Sequence, residues 1–344
     1  MEREKFVEEI VIDKRTVRLV HEDVPVEQVV LDEDNPRIRY RLKIEAPDKR
    51  PEDVILTWKE VKDLRKDIEK TGGLRERIIV QTNGDGTWKV REGNCRTVCY
   101  RSLHEKNPKE ARWKKIPAKV LPKEVGEKEV AILLSDFHVA GKITWNAHEK
   151  AGQIYHMAVD LSMDHGDIAM YLRTSKATVQ RYLDAYKFMV ERFLKIDNGK
   201  YGGQGEGKWS FFDEFFKRKE LRNELKKNPE FGDDFCRWIG EGNIPQPVEV
   251  RRLPGILQQA EARKELEKGG TFAEALKVLE IHAPEQTSDF FKLLKSVQDA
   301  CSGAAQLGEL LRVRNDPVAQ QKVVDAYKAL AGFIRLAGVE PPEV

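Results

Sequence analysis

Residues 77–96, Arg-Ile-Ile-Val-Gln-Thr-Asn-Gly-Asp-Gly-Thr-Trp-Lys-Val-Arg-Glu-Gly-Asn-Cys-Arg, decide the fold. Ile78, Ile79 and Val80 read as a short buried strand. Asn83-Gly84-Asp85-Gly86 is a strong turn signal, and Thr87–Glu92 is the return strand. Gly93 ends that strand, and NCRTVCYRSLHEK (94–106) reads as a helix. A glycine at such a turn lets another group approach the backbone closely. The first helical N–H groups and the positive end of the helix dipole then face outward. Arg96, within the first turn, can add a bidentate phosphate contact. Strand–Gly–x–x–Arg–helix therefore predicts an anion cradle at Gly93, Asn94 and Arg96. A plain strand-to-helix turn with a surface arginine is the alternative that the spacing leaves open.

Outward from this stretch, the first 122 residues mix β-like and helical runs. EEIVIDKRTVRLV reads as a hairpin about Asp13-Lys14-Arg15. In LDEDNPRIR, Pro36 forces Asn35 out of the helical region. Val61, Leu64 and Ile68 recur at helical spacing, with Gly72-Gly73 as the stop. KIPAKVLP is a further strand. From about residue 125 the β character disappears, and helices run to about residue 200. Asp197–Lys208 holds five glycines in twelve residues and reads as a flexible linker or mobile loop. Beyond it the pattern is helical, without a repeat of fixed period. We expect an α+β chain with a small mixed-sheet domain (1–122), an all-α helix-turn-helix domain (123–200) and an all-α C-terminal domain (201–344).

The chain has 344 residues, 40% hydrophobic and 34% charged, with 60 Lys+Arg against 58 Asp+Glu. This composition supports real cores and excludes wholesale disorder. A net charge of +2 means that any nucleic-acid contact comes from a local patch rather than from bulk charge. No apolar run approaches the roughly 18 residues of a membrane span. MEREKFVEEI is charged from residue 2 and lacks the apolar stretch of a signal peptide, so we expect a cytoplasmic protein. Cys95, Cys99, Cys236 and Cys301 form no CxxC pair or zinc spacing and are expected as free thiols.

The order LDEDNPRIR, a helix closed by Gly73-Leu74, Ile78-Ile79-Val80, a turn, a strand and Glu92-Gly93-Asn94-Cys95-Arg96 resembles the ParB N-terminal domain, which shares its fold with sulfiredoxin. The resemblance covers roughly residues 24–122 and is carried by Asn35, Pro36, Arg37, Gly73, Leu74, Ile78, Ile79, Val80, Glu92, Gly93 and Arg96. It implies a ParB/sulfiredoxin-like fold holding a nucleoside triphosphate, CTP or ATP with Mg, through Gly93, Asn94, Arg96 and Arg37. The family's second box, Glu-Asn-x-x-Arg, is matched here by Ser135-Asp136-Phe137-His138-Val139, which lacks the glutamate and the arginine. Residues 39–57 are longer than the family usually carries. Sulfiredoxin attacks with a cysteine directly after the box glycine. Here Asn94 stands there, and Cys95, one residue on, points about 100° away. Some proteins with this N-terminal fold are nucleotide hydrolases, kinases or nucleases in mobile-element or defence settings. In that reading Glu92 or Asp136 is the metal-holding or base residue.

The second signal is HGDIAMYLRTSKATVQRYL, residues 165–183. Ile168, Ala169, Leu172, Val179 and Tyr182 occupy the apolar positions of a helix-turn-helix, with Ser175 as N-cap of the second helix. Ser175, Lys176, Thr178, Gln180 and Arg181 are the expected DNA contacts. Residues 165–195 carry six Lys/Arg against three Asp/Glu, the right sign for a phosphate backbone. The turn carries Arg173-Thr174 instead of the usual Gly-apolar pair. Farther on, Trp209, Phe211, Phe212, Phe215 and Phe216 are too many aromatics for a solvated helix face. They are expected in a core, with a partner surface as the alternative. The function expected is a nucleotide-responsive DNA-binding protein, in partition or transcriptional regulation, self-associating or meeting a partner protein through its C-terminal helices. A protein-binding scaffold is the third reading.

Overall fold

The computed structural model describes residues 6–40, 42, 48–140, 145–302 and 307–340. Six strands form one mixed sheet: β1 (Val7–Ile12), β2 (Arg15–Pro25), β3 (Val29–Val30), β4 (Ile78–Thr82), β5 (Trp88–Glu92) and β6 (Lys115–Leu121), in the order β1-β2-β6-β4-β5-β3. The first two make the expected hairpin. Asp13 and Lys14 both take positive φ, 47° and 67°, as a twist-matched two-residue turn demands. β6 pairs antiparallel with β2 and parallel with β4, β4 antiparallel with β5, and β3 parallel with β5.

Helices cover both faces of the sheet. α1 (Pro36–Tyr40) begins at the proline. α2 (Pro51–Thr57), α3 (Lys59–Thr71) and α4 (Asn94–Lys106) follow, and Gly72, at φ 75°, ends α3. Residues 41 and 43–47, part of the long stretch 39–57, lie outside the described residues. Val54, Ile55, Val61, Ile68, Val98, Cys99 and Leu103 from these helices meet Ile78, Val80, Val90, Ile116 and Ala118 in one core. The opposite face, with Ile12, Val17, Leu19, Ile79 and Leu121, is covered by α5 (Glu127–Ala140), α6 (Ala147–Tyr155), α7 (His165–Tyr171) and α8 (Lys176–Phe188). The α7–α8 pair thus shares a core with the sheet. Alternate side chains of β4 serve the two cores, because successive residues of a strand face opposite sides.

A short helix α9 (Ile196–Gly199) leads through the glycine-rich stretch to α10 (Gly205–Lys217), α11 (Lys219–Lys227) and α12 (Phe231–Glu241). The expected flexible linker is instead a packed connection. Tyr201 is 1% exposed and its ring is stacked on Phe193 at 5.3 Å between centroids. A Cβ on Gly205 would collide with the Tyr40 hydroxyl, and one on Gly240 would lie 2.6 Å from the Tyr201 ring. The aromatics of α10 are core residues. Phe212 and Phe215 are fully buried and pack with Phe188 of α8 and Phe235 of α12. Trp209 lies against Tyr182, Tyr186 and His148.

The helices α13 (Leu253–Gln258), α14 (Ala260–Glu267), α15 (Phe272–His282), α16 (Asp289–Ser302), α17 (Leu307–Asn315) and α18 (Pro317–Leu336) complete the chain. Two compact units result: Met1–Pro254 with Leu266–Phe272, and Gly255–Glu265 with Ala273–Val344. The cysteines are free thiols. Among the described residues, no helix is long and apolar enough to cross a membrane.

Buried Glu214 on α10 accepts from Arg251 Nε at 3.0 Å and from Lys217 Nζ at 2.9 Å. Burial alone would raise its pKa, but these cationic donors outweigh burial and hold it at about 2. A carboxyl depressed in the folded state stabilises above its ordinary value of about 4.3, and that contribution is lost as pH falls toward 2. Glu214→Gln is therefore expected to lower the melting temperature at pH 7. It should also flatten the acid limb of the stability curve between about pH 4.5 and 2, read by circular dichroism melts across that range.

Candidate nucleotide and nucleic-acid sites

Gly93 occupies the turn between β5 and α4 at φ 111°, ψ 24°, a conformation that side-chain-bearing residues rarely adopt. A Cβ here would stand 2.5 Å from Ile78 Cγ2. The first turn of α4 has no side-chain cap, which leaves its orphan N–H groups for another acceptor. The helix dipole favours an anion at this place.

The side chains around the turn are less open than the spacing implies. Asn94 is 5% exposed and clamps the backbone of Asp32: its Oδ1 accepts from Asp32 N at 3.0 Å, and its Nδ2 donates to Asp32 O at 3.1 Å. It fastens the loop before α1 to the start of α4. Arg96 donates to the carbonyls of Glu76 at 2.8 Å and Arg77 at 3.2 Å, and pairs with Glu92. Burial pulls the pKa of its guanidinium down. Arg96 thus ties the run into β4 onto α4, and Glu92 is engaged as its counter-ion. The side chain of Arg37 lies outside the described residues. Asp136 stands exposed on α5, in the electrostatic neighbourhood of Tyr171, which donates to Asp13 at 2.7 Å. Glu92 and Asp136 therefore sit in separate surroundings. In the degenerate second box, Ser135 is buried and donates to Ala131 O at 2.8 Å, and His138 stacks on Trp145.

Beside the turn, a cleft of about 270 Å³ opens between the loop before α1, β5, α5 and α6. Asp32, Asp34, Lys89, Glu127, Gln153 and His156 line it. Lys89 Nζ lies 3.2 Å from Asp32. Burial raises the Asp32 pKa above the ordinary aspartate value, against the pull of Lys89 and Arg91. Arg91, itself buried, forks onto Glu127 at 2.6 and 3.0 Å and onto Gln81 Oε1 at 2.6 and 2.9 Å, joining β5, β4 and the first turn of α5. A bidentate pair of this kind fixes orientation as well as charge. Sequence reading missed the cleft, because its lining converges from four segments. Among the described residues, no group of three His, Cys, Asp or Glu is placed to hold a metal.

In the α7–α8 unit, where the sequence predicts a helix-turn-helix, Ile168, Leu172 and Val179 are fully buried and Ala169 nearly so. The turn closes through Thr174 N to Ala169 O at 2.9 Å. Arg173 takes φ 48°, so here an arginine fills the left-handed position that a glycine usually holds. The Ser175 hydroxyl caps α8, accepting from Thr178 N at 3.1 Å, and lies 3.0 Å from the Thr178 hydroxyl. Both hydroxyls therefore build the helix start. Gln180 donates to Asp184 at 2.8 Å, and Lys176 is exposed, 3.8 Å from Asp164. Arg181 turns away from this surface, donating to Asp213 of α10 at 3.1 Å and lying over the Tyr182 ring. Arg173, Lys176, Ala177 and Gln180 form the exposed face around the start of α8. Arg173 is an exposed cation there that the helix pattern alone did not single out.

Gly93→Ala adds the left-handed penalty of about 1–2 kcal/mol to overpacking of about 1–3 kcal/mol against Ile78. We expect a total loss of about 2–5 kcal/mol by urea denaturation. In an Ile78→Ala background the added cost of Gly93→Ala should shrink toward the backbone part alone.

No protein-family profile matches the sequence, and no curated protein matches it. Among solved structures, the chain is similar to the C-terminally truncated chromosome-partitioning protein ParB from Caulobacter crescentus complexed to the centromeric parS site. The two share 15% identity over 68% of this chain and 98% of that one, with a TM-score of 0.35. It is also similar to the same truncated ParB complexed with CTP-gamma-S, at 17% identity over 60% of this chain and 97% of that one, with a TM-score of 0.24.

Proposed function

We propose that the chain is a cytoplasmic, nucleotide-responsive DNA-binding protein, acting in partition or transcriptional regulation. The observation that carries this reading is the α7–α8 unit. Its apolar residues are sealed into a core, its second helix is capped by Ser175, and its exposed start carries Arg173, Lys176, Ala177 and Gln180. Side chains at the N-terminal end of such a helix reach base edges in the major groove, and the cations beside them reach phosphates.

The nucleotide, CTP or ATP with magnesium, binds in this reading where Gly93 opens α4. The uncapped N–H groups of α4 receive the phosphates, and Arg96 and Arg37 add charge. Arg96 is now committed to the carbonyls of Glu76 and Arg77. A phosphate would compete for that guanidinium and release the run leading into β4, whose Ile79 packs in the core shared with the helix-turn-helix. Response to the ligand follows from that competition.

Binding to mixed duplex fragments, followed by fluorescence polarisation across a salt series, tests the DNA half. Lys176→Ala should weaken binding and reduce the salt slope by about 1, as loss of one phosphate contact does. Calorimetry with CTP, ATP and GTP in magnesium tests the other half. Saturable binding of one nucleotide, lost in Arg96→Ala, is expected. No affinity for any nucleotide would leave Gly93 as a structural turn, and no affinity for DNA would overturn the reading as a whole.

Self-association belongs to the second compact unit. On α18, Val323, Tyr327, Leu330 and Ile334 follow a 4-3-4 spacing, the seam of a helix meeting a like helix. Tyr327 is 71% exposed, and Phe290, Phe291 and Leu293 of α16 are also exposed. We take a second copy of the chain as the occupant. Sedimentation should report a dimer that Tyr327→Asp with Leu330→Asp converts to monomer; a wild-type monomer at high concentration would refute this.

A further inference from the structure

The contact between α8 and α10 holds an arginine whose fork is unused. Ala177, Gln180, Arg181 and Asp184 recur at i, i+3, i+4 and i+7, so the Arg181 backbone belongs to the exposed stripe that begins at the start of α8. Its side chain leaves that stripe and donates to Asp213 of α10 through Nε alone, at 3.1 Å. Among the described residues, neither of its terminal nitrogens finds an acceptor. Arg91 shows the contrast, forking onto Glu127 through both terminal nitrogens at 2.6 and 3.0 Å. The second oxygen of Asp213 is taken by Lys217 Nζ at 2.8 Å. The Asp213 side chain is only 14% exposed and needs a counter-ion, and it has two. Lys217 lies one turn along the same helix, so it stays with Asp213 wherever the Arg181 side chain lies. Glu214, the other partner of Lys217, also has Arg251. Phe188 of α8 packs against Phe212, Phe215 and Phe216 of α10, so the two helices are fixed and Arg181 can leave Asp213 by rotating its side chain alone.

We propose that Asp213 is a positioning residue for DNA: it keeps Arg181 in reserve beside the α8 face and passes it to a backbone phosphate, with Lys217 staying behind as its counter-ion. This deepens the DNA-binding reading and rests on it. A phosphate offers the guanidinium two parallel hydrogen bonds, where Asp213 offers one. The exchange costs little, because a partly exposed ion pair contributes a factor of only about two to five. Without Lys217 a nearly buried carboxylate would be left uncompensated, and the arginine would stay where it is. Arg181 therefore joins the contact only where a phosphate lies within its reach. That favours a duplex seated on α8 over a loose electrostatic encounter.

Fluorescence polarisation of mixed duplex fragments with the full chain tests this. Asp213→Asn should tighten binding about three- to fivefold, and Lys217→Ala should weaken it by a similar factor. Arg181→Ala should lower the salt slope by about 1 and make both other substitutions neutral when combined with it. A general relief of charge repulsion by Asp213→Asn would instead persist without Arg181, and so would a phosphate contact made by Lys217 itself. Either persistence, or weaker binding in Asp213→Asn, overturns the proposal. If circular dichroism shows that Asp213→Asn does not fold, Lys217→Ala with and without Arg181→Ala decides it. Wild-type binding that Lys176→Ala weakens but Asp213→Asn and Lys217→Ala leave untouched would sink the reserve and keep the DNA reading. No wild-type binding would sink both.

Discussion

Ile78 and Val80 face one side of the sheet and pack under α3 and α4, while Ile79 faces the other and packs under α5 to α8. β4 lies inside the sheet, with β6 on one side and β5 on the other, so its backbone is satisfied laterally and both its faces are buried. A strand buried on both faces cannot slip by one residue without exchanging its contributions to two cores. Gly93 depends on this register, because the methyl of Ile78 fills the space where its side chain would be. The Gly93 turn at the start of α4 and the core under α7 and α8 are thus positioned by neighbouring residues of one strand.

Polar ties reinforce the layering at the cleft. The Arg91 fork joins the sheet to α5, and the Asn94 clamp joins α4 to the loop before α1. On the far side of that loop, Arg39 of α1 donates to Asp160 at 2.5 Å, and His156 shares the same carboxylate at 2.9 Å. His156 and Asp160 bound a π-helical turn that prolongs α6, a geometry frequent at functional sites. The loop with Asn35 and Pro36 is held at both ends, so the cleft has firm walls.

What was legible in the sequence was local. The Asp13-Lys14 turn, the stop at Gly72, the strand-to-helix passage at Gly93 and the apolar spacing of α7 and α8 each depend on residues a few positions apart, and these elements formed where the pattern placed them. What escaped depends on partners remote in the chain. Arg96 reads as a phosphate ligand, yet its present acceptors are carbonyls twenty residues earlier. Arg181 reads as a DNA contact, yet Asp213 holds it from thirty-two residues later. An arginine has five donors and no preference for source, so its type marks an anion or a carbonyl equally well. The cleft was invisible for the same reason: Asp32, Lys89, Glu127 and Gln153 belong to no single pattern.

The glycine-rich passage before α10 shows how composition and slack can part company. Gly205 is small because the Tyr40 ring rests on its backbone, the Tyr201 ring of the same passage rests on Gly240 of α12, and the Tyr40 hydroxyl donates to Gly202 O at 3.2 Å. The stretch therefore serves as a seat for aromatic rings rather than as a tether. Its length should be far less free to vary through insertion and deletion than the glycine count implies, since one added residue would lift two rings from their places at once.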